Sequence, residues 1–349
     1  MNGSKGLAGE AEEAQDAMGY ESDGRPMVPG ADVRLVPIRV DRALGPEDAA
    51  DRDSGAFFSD LLVESGIEPR DKDILVVSSK VAAIFDGGQI RLDDVIPTRR
   101  ARILGHMFHK DPRKIQLVLE QGPIFIVIPL KRVTGIPSMR RMLGERSPDP
   151  DAMWRGFAVT NKYAFVVRKF AAYLDEGGID HTNSPEGYVT TLPRDPCKTA
   201  QRIREAIRAA TDADVAVIIT DTVTMIGRLG SQDLAIGYAG LDPVTRATFS
   251  EDLFGVARSG GIDIVIDSVA GLAGLIMGQT TEKTPAVLVR GLNWAPERQG
   301  ELPGMDAVAM PGGSEIRIVF LVIWATLKLY LGNLISFQRG PGRVRRRES

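Results

Sequence analysis

The sequence predicts a mixed α/β fold, because two kinds of segment alternate along it. Short β-branched runs such as Ile74-Leu75-Val76-Val77 and Val215-Ala216-Val217-Ile218-Ile219 have the length and residue types of buried strands. Lys198 to Ala210, by contrast, sets apolar residues at helical spacing within a charged stretch. The 43% hydrophobic and 26% charged content of the 349 residues is that of a globular chain, long enough for two ordinary domains or one large one.

In chain order, residues 1–30 are rich in Gly, Ala, Glu, Ser and Asp, with no apolar run and no basic start. That composition fits a disordered tail and neither a signal nor a transit peptide. Order is expected from Val33. Val33 to Val40 contains Pro37, so it is expected at a sheet edge, where a missing N–H is tolerated. Ala56 to Gly66 carries an apolar face at helical spacing. Asp73 to Lys80 reads as a buried strand running into a loop of small polar residues. Asp111-Pro112-Arg113 opens a helix through Glu120, with proline in the first turn, where an absent donor costs little. Phe125 to Ile128 and Tyr163 to Val167 are strand candidates on either side of a basic stretch, 131–160, that lacks pattern and is expected as loop. Gly177 to Asn183 is a loop. Val215 to Thr222 is the clearest strand and ends in a carboxylate and a hydroxyl. Ile262 to Ile266 and Ala286 to Val289 are further strands, and Val269 to Met277 is a helix rich in small residues. No internal repeat is evident.

Composition excludes several functions. A net charge of −3 and a pI near 5.8 give no basic field for nucleic acid. The single cysteine, Cys197, cannot form an internal disulfide and suits a reducing cytoplasm. With only His106, His109 and His181, a zinc site built from Cys and His lacks ligands. Any metal is therefore expected on oxygen ligands, which points to magnesium or manganese.

Three loop clusters follow apolar stretches and hold the residues suited to such chemistry. They are Gly178-Ile179-Asp180-His181-Thr182-Asn183, Thr220-Asp221-Thr222, and Met277-Gly278-Gln279-Thr280-Thr281-Glu282. Together they offer carboxylates, hydroxyls and amides, a hard-oxygen set able to bridge a divalent ion to phosphates. Each alone is weak, since an Asp-Thr at a strand end is more often a cap or a turn. There is no Walker-type Gly-Lys-Ser/Thr loop.

The combination is more specific. Asp73 to Lys80, Lys110 to Arg113, Gly178 to Asn183, Leu192 to Pro196, Val217 to Thr222, Ala235-Ile236-Gly237, Asp252 to Gly255, Leu275 to Gly278 and Val289 to Asn293 form a collinear series. Over roughly residues 33–295 this series resembles the coenzyme F420:L-glutamate ligase family. The resemblance implies a two-part mixed-sheet α/β (α+β) fold and an intertwined homodimer. It implies a GTP- and divalent-metal-dependent ligase that joins L-glutamate to the carboxylate of the deazaflavin precursor through an acyl phosphate. Carried over residue by residue, Asp180, Asp221, Thr222 and Gln279 correspond to metal ligands. Ser79, Lys80, Asn183 and Arg228 correspond to nucleotide contacts. No catalytic residue separate from the metal site is implied, and His181 is read as a plain loop residue.

The sequence also departs from the family pattern. A second lysine expected after the Ser-Lys pair is missing from Ala82-Ala83-Ile84-Phe85-Asp86-Gly87. Of the arginines expected after the Asp-Thr pair, Arg228 alone is left. Each lost cation removes a charge-assisted phosphate contact. Residues 131–175 are longer than the pattern. Catalytic-region character is therefore assigned to 31–315, followed at 316–349 by an apolar helix and a basic tail. Ile318 to Leu331 suggests either contact with a membrane through residues 318–335 or a buried or dimer-interface helix. Against a span, Lys328 interrupts the run and costs roughly 2.5–3.5 kcal/mol on insertion. Two alternatives to the expected cytoplasmic ligase are a diverged member joining another acid and amine, and a non-catalytic, membrane-associated nucleotide-binding protein.

Overall fold

A computed structural model describes residues 27–336, apart from short stretches at 160–161, 226–227, 247–249, 258, 261, 299, 301 and 312–313. Residues 1–26 of the expected tail and the basic stretch Arg339 to Arg347 lie outside the described residues. The described elements run β1 (Met27–Ile38), α1 (Ser54–Glu64), β2 (Ile74–Ser78), α2 (Ser79–Phe85), β3 (Gln89–Arg91), α3 (Arg99–Phe108), α4 (Pro112–Gln121) and β4 (Ile124–Ile128). They continue with α5 (Leu130–Thr134), α6 (Pro137–Glu145), α7 (Pro150–Val159), β5 (Ala164–Lys169), β6 (Ala172–Asp175), β7 (Tyr188–Thr190), α8 (Pro196–Thr211), β8 (Ala216–Thr224), β9 (Ser231–Ala239), α9 (Val265–Met277), β10 (Ala286–Trp294) and α10 (Ser314–Ser336). The chain divides into two compact units, one ending at Val308 and one beginning at Ala309.

The mixed α/β class holds. A five-stranded sheet in the order β1-β10-β2-β8-β9 is antiparallel except for the parallel pair β2–β8. Strand alternation sorts its two faces. Leu75, Val77, Val217 and Ile219 pack with Phe58, Leu62, Ile203 and Ile207 of α1 and α8. Ile74, Val76, Ala216 and Ile218 pack with Val269, Ala270 and Ala273 of α9. Burial on both faces is why β2 and β8 read as unbroken apolar runs. Smaller sheets, β4-β5-β6 and β3-β7, stand apart, and a third core of Ala101, Ile115, Val118, Phe165 and Val167 underlies the first of them.

β1 lies at the sheet edge as Pro37 requires, but it starts at Met27, earlier than Val33. Two packing glycines fix the sheet. Gly237 of β9 faces the backbone of Pro196 at the start of α8, where an added Cβ would stand 2.5 Å from the Pro196 carbonyl carbon. Gly291 takes φ +91° at the β1–β10 irregularity, where a Cβ would meet the Asp32 carbonyl oxygen at 2.1 Å.

Three expectations need correction. Ser79 and Lys80 do not enter a loop: they open α2, and Ser78 sits at its N-cap position. The 131–160 stretch holds α5, α6 and α7, since Pro137 and Pro150 each start a new short helix where a first-turn proline is tolerated. Ile262 to Ile266 is not a strand. Ile264 makes a single bridge to Val244, and α9 begins at Val265 because packing on the sheet outweighs β-branched propensity.

In the second unit, the described side chains of α10 from Ile318 to Val322 are exposed, as are Trp324 and Leu331. Among the described residues no helix is long and apolar enough to cross a membrane, which removes the spanning reading of 318–335. Arg317 precedes the run and Lys328 interrupts it, and the Lys328 ammonium stacks over the Trp324 ring at 3.5 Å.

Candidate active site

Parallel pairing of β2 with β8 brings their C-terminal ends together, with Ser78 opposite Thr220. Such strand ends are where sheets of this kind usually present ligand sites. The chain then diverges: β2 turns into α2 with Ser79 and Lys80 in its first turn, while β8 continues through an irregularity at Ile219/Thr220 into Asp221 and Thr222. The Ser79 hydroxyl donates to Asp221 Oδ1 at 2.7 Å and ties the two ends.

A cleft of about 660 Å³ opens over this junction. Seven of the eight residues singled out in the sequence line it: Ser79, Lys80, Asp180, Asn183, Asp221, Thr222 and Gln279. Arg228 does not. It lies exposed in the turn between β8 and β9, outside the cleft lining. Val40, Leu44, Val81, Ile84 and Leu174 form an apolar flank to the polar floor.

The loop after β6 is folded by Gly177 (φ +66°) and Gly178 (φ +74°), and Asp180 is then pinned by an antiparallel bridge to Thr190. The Lys80 ammonium reaches Asp180 Oδ2 at 2.5 Å and the Thr182 carbonyl at 2.6 Å. Burial opposes ionisation of Asp180, yet the Lys80 ammonium and the Thr182 N–H outweigh it and hold its pKa below the ordinary carboxylate value. Asn183 has φ +55°, and its amide donates to the Thr280 carbonyl at 2.9 Å, joining this loop to the one after α9. His181 is exposed; burial of its ring edge and the nearby Lys114 lower its pKa.

Asp221 is the most perturbed carboxylate of the cleft. Burial pushes its pKa up to about 6, against the Ser79 hydroxyl and Thr222 N–H, and the negative charge of Asp233 adds to the rise. Thr222 and Gln279 touch directly, with the Thr222 hydroxyl 2.9 Å from Gln279 Oε1.

Among the described residues, no three His, Cys, Asp or Glu side chains gather into a group that could enclose a metal. The available donors are instead mixed: the Asp180 and Asp221 carboxylates, the Thr222 hydroxyl and the Gln279 amide oxygen, all lining one cleft. This set fits magnesium or manganese, ions that take one or two protein carboxylates and complete their shell with water and substrate phosphates. The desolvated Asp221 carboxylate fits too, because a cation beside it would favour its charged form.

Sequence reasoning passes over Asp233, Arg42 and Asp175, which also line the cleft. Asp233 carries no local signal. Only the register of β9 against β8, which sets it opposite Thr222, brings it to the site.

Comparison with known proteins identifies the family. Residues 49–291 match the family model described as F420-0:Gamma-glutamyl ligase. The chain is similar to the coenzyme F420:L-glutamate ligase of Methanopyrus kandleri, with 30% identity over 266 residues, covering 76% of this chain and 90% of that one. It is similar to the protein of the same name from Methanothermobacter thermautotrophicus, with 28% identity across 71% of this chain and 86% of that one. For that of Archaeoglobus fulgidus the identity is 30%, across 68% and 82%.

Proposed function

The chain belongs to the F420-0:gamma-glutamyl ligase family, and from that membership we propose that it forms a C–N bond between L-glutamate and the carboxylate of the deazaflavin precursor of coenzyme F420. The proposed reaction uses GTP and magnesium or manganese and runs through an acyl phosphate. The carrying observation is the convergence of Lys80, Asp180, Asp221, Thr222 and Gln279, from four separate segments, on one cleft.

Each residue has a task that its surroundings support. Lys80, anchored between Asp180 and the Thr182 carbonyl, holds a positive charge at the cleft floor where phosphate oxygens would lie. Asp180, Asp221, Thr222 and Gln279 would hold the divalent ion. When bound, that ion supplies neutralisation of the charge gathering on the transferred phosphoryl group. Ser79 fixes the Asp221 carboxylate. The apolar flank from Val40 to Leu174 suits a flat heteroaromatic ring and excludes water beside the reacting carboxylate. The proposed setting is the cytoplasm, and the proposed assembly a homodimer, which the exposed Phe125, Ile126 and Val127 of β4 support.

A mass-resolved ligation assay tests the proposal. Protein is mixed with the deazaflavin precursor, L-glutamate, GTP and manganese. A gain of one or more glutamyl units, lost in Asp221→Ala, is expected. A second reading, ligation of a different acid, draws on the displacement of Arg228 from the cleft and on buried Ala82 and Ala83 at the place of the missing lysine. It predicts no glutamylated precursor but metal-dependent GTP turnover once the proper acid is supplied.

A further inference from the structure

We propose that Asp233 is a positioning residue that aims the Thr222 and Gln279 oxygens into the cleft and so sets the affinity for the divalent ion. This rests on the metal-dependent reading above.

Asp233 of β9 pairs directly with Thr222 of β8, so their side chains share one face of the sheet. The Thr222 hydroxyl donates to Asp233 Oδ1 at 2.6 Å. The same hydroxyl stands 2.9 Å from Gln279 Oε1, but it has one proton; given to Asp233 over the shorter contact, it leaves the Thr222 lone pairs and Gln279 Oε1 side by side, an oxygen pair that a cation between them would satisfy. Gln279 Nε2 lies 3.2 Å from the same Oδ1. Committing the amide N–H to Asp233 turns Oε1 away from it, toward Thr222. Without the carboxylate, the amide is free to flip and present its NH₂ to the cation, the wrong polarity for a ligand.

The fold reserves space for this arrangement. At Gly274, inside α9, an added Cβ would stand 1.8 Å from Asp233 Oδ2. Glycine inside a helix is unfavourable relative to alanine, and here the carboxylate fills the space a methyl would take. Asp233 is itself buried at 9% exposure, and its partners among the described residues are a hydroxyl and an amide rather than a cation. A carboxylate so placed calls for positive charge nearby, and Thr222 and Gln279 are the groups through which it would act on one.

The test measures binding of Mn²⁺ to the full chain with a non-hydrolysable GTP analogue, counting free Mn²⁺ by electron paramagnetic resonance. Asp233→Asn is expected to weaken Mn²⁺ binding roughly 10–100-fold, with a folded spectrum and an unchanged urea midpoint in the metal-free protein. In a Thr222→Val background the same substitution is expected to cost less than in the wild type, because part of the effect runs through Thr222 and the rest through Gln279. Gly274→Ala approaches the carboxylate from the helix side and is expected to weaken Mn²⁺ binding as well. Wild-type affinity in folded Asp233→Asn, or in Gly274→Ala should Asp233→Asn not fold, overturns the inference. Fully additive effects with Thr222→Val also overturn it, since Asp233 would then act directly. Failure of the wild-type protein to bind Mn²⁺ under any of these conditions instead removes the metal-dependent reading and this inference with it.

Discussion

Replacing Asp221 with asparagine is expected to stabilise the metal-free protein at neutral pH while removing its metal-dependent chemistry. Burial raises the Asp221 pKa from 3.8 to about 6 in the folded chain. The folded state therefore holds this proton more tightly than the unfolded state does. Its contribution to stability is present below pH 4 and is lost as pH rises through about 6. At roughly 1.4 kcal/mol for each tenfold change in ionisation, the full loss is about 3 kcal/mol. Asparagine is neutral throughout and keeps an oxygen to accept from Ser79, so it mimics the protonated acid. Urea unfolding in the presence of a chelator should give nearly equal stabilities near pH 4. At pH 7.5 the variant should be more stable by about 2–3 kcal/mol. Comparing the two proteins cancels the opposite pH dependence of Asp180, whose lowered pKa favours folding above the ordinary carboxylate value. With manganese and a GTP analogue at about 100 times their dissociation constant, the wild type gains about 2.7 kcal/mol that the variant does not. A variant no more stable than wild type at pH 7.5, or a difference that does not change with pH, would refute the reasoning.

Further expectations concern both cleft and frame. Lys80→Met should weaken GTP-analogue binding by roughly 10–100-fold, the value of a charge-assisted hydrogen bond, as read by calorimetry; unchanged affinity would exclude Lys80 from the phosphate site. Arg290→Met leaves Asp73, 1% exposed, without the guanidinium that bonds it at 2.7 Å. It should cost about 3–5 kcal/mol in urea unfolding without changing Mn²⁺ affinity at low temperature, and an effect on binding larger than on stability would contradict a purely structural pair. Gly237→Ala drives a methyl against the Pro196 backbone, which cannot give way as a side chain can. A loss of about 1–3 kcal/mol is expected, and a neutral result would show that α8 can shift from the sheet.

Much of this was legible in the sequence where residue type and environment agree. β2 and β8 are central strands buried on both faces, and their apolar runs carry that burial openly. Cleft residues at their ends were found because a carboxylate after such a run is conspicuous. β9 is not read as a strand from the sequence, where Ala235-Ile236-Gly237 enters only as a motif of the family resemblance. Its polar start, Ser231-Gln232-Asp233, is exposed at the first two positions, and pairing with β8 rather than local propensity makes it a strand. Asp233 was lost with it, since nothing local distinguishes it from a surface aspartate. The helices in 131–160 escaped for a related reason. α5, α6 and α7 contribute no described residue to a core, and Pro137 and Pro150 cut the stretch into pieces of ten residues or fewer, too short for helical periodicity to stand out.

The collinear motifs that first suggested the family divide, in the structure, by what their residues touch. Asp73 and Arg290 form a buried bidentate pair joining the start of β2 to β10. Lys110, deeply buried, ties its ammonium to Glu176 and to the Tyr163 carbonyl. Asp195 caps α8, Gly237 admits its first turn, and Gly291 lets β1 approach β10. None of these lines the cleft. They define the frame, and a chain that had changed its chemistry would keep them all. Discrimination between a ligase of the same acid and a diverged one therefore falls on the few cleft residues. Lys80, Asp180, Asp221, Thr222 and Gln279 stand together there, while Arg228 stands outside and Ala82 and Ala83 are buried beneath. The retained group is the one proposed to hold a metal and a phosphate, and the altered positions are cations. An altered partner is thus most readily sought among groups that present less negative charge. Introducing lysine at Val81, which is partly exposed and lines the cleft next to Lys80, should tighten binding of the deazaflavin precursor if charge alone was lost. No change in its affinity would mean that the shape of the apolar flank, rather than the missing cation, sets the choice of acid.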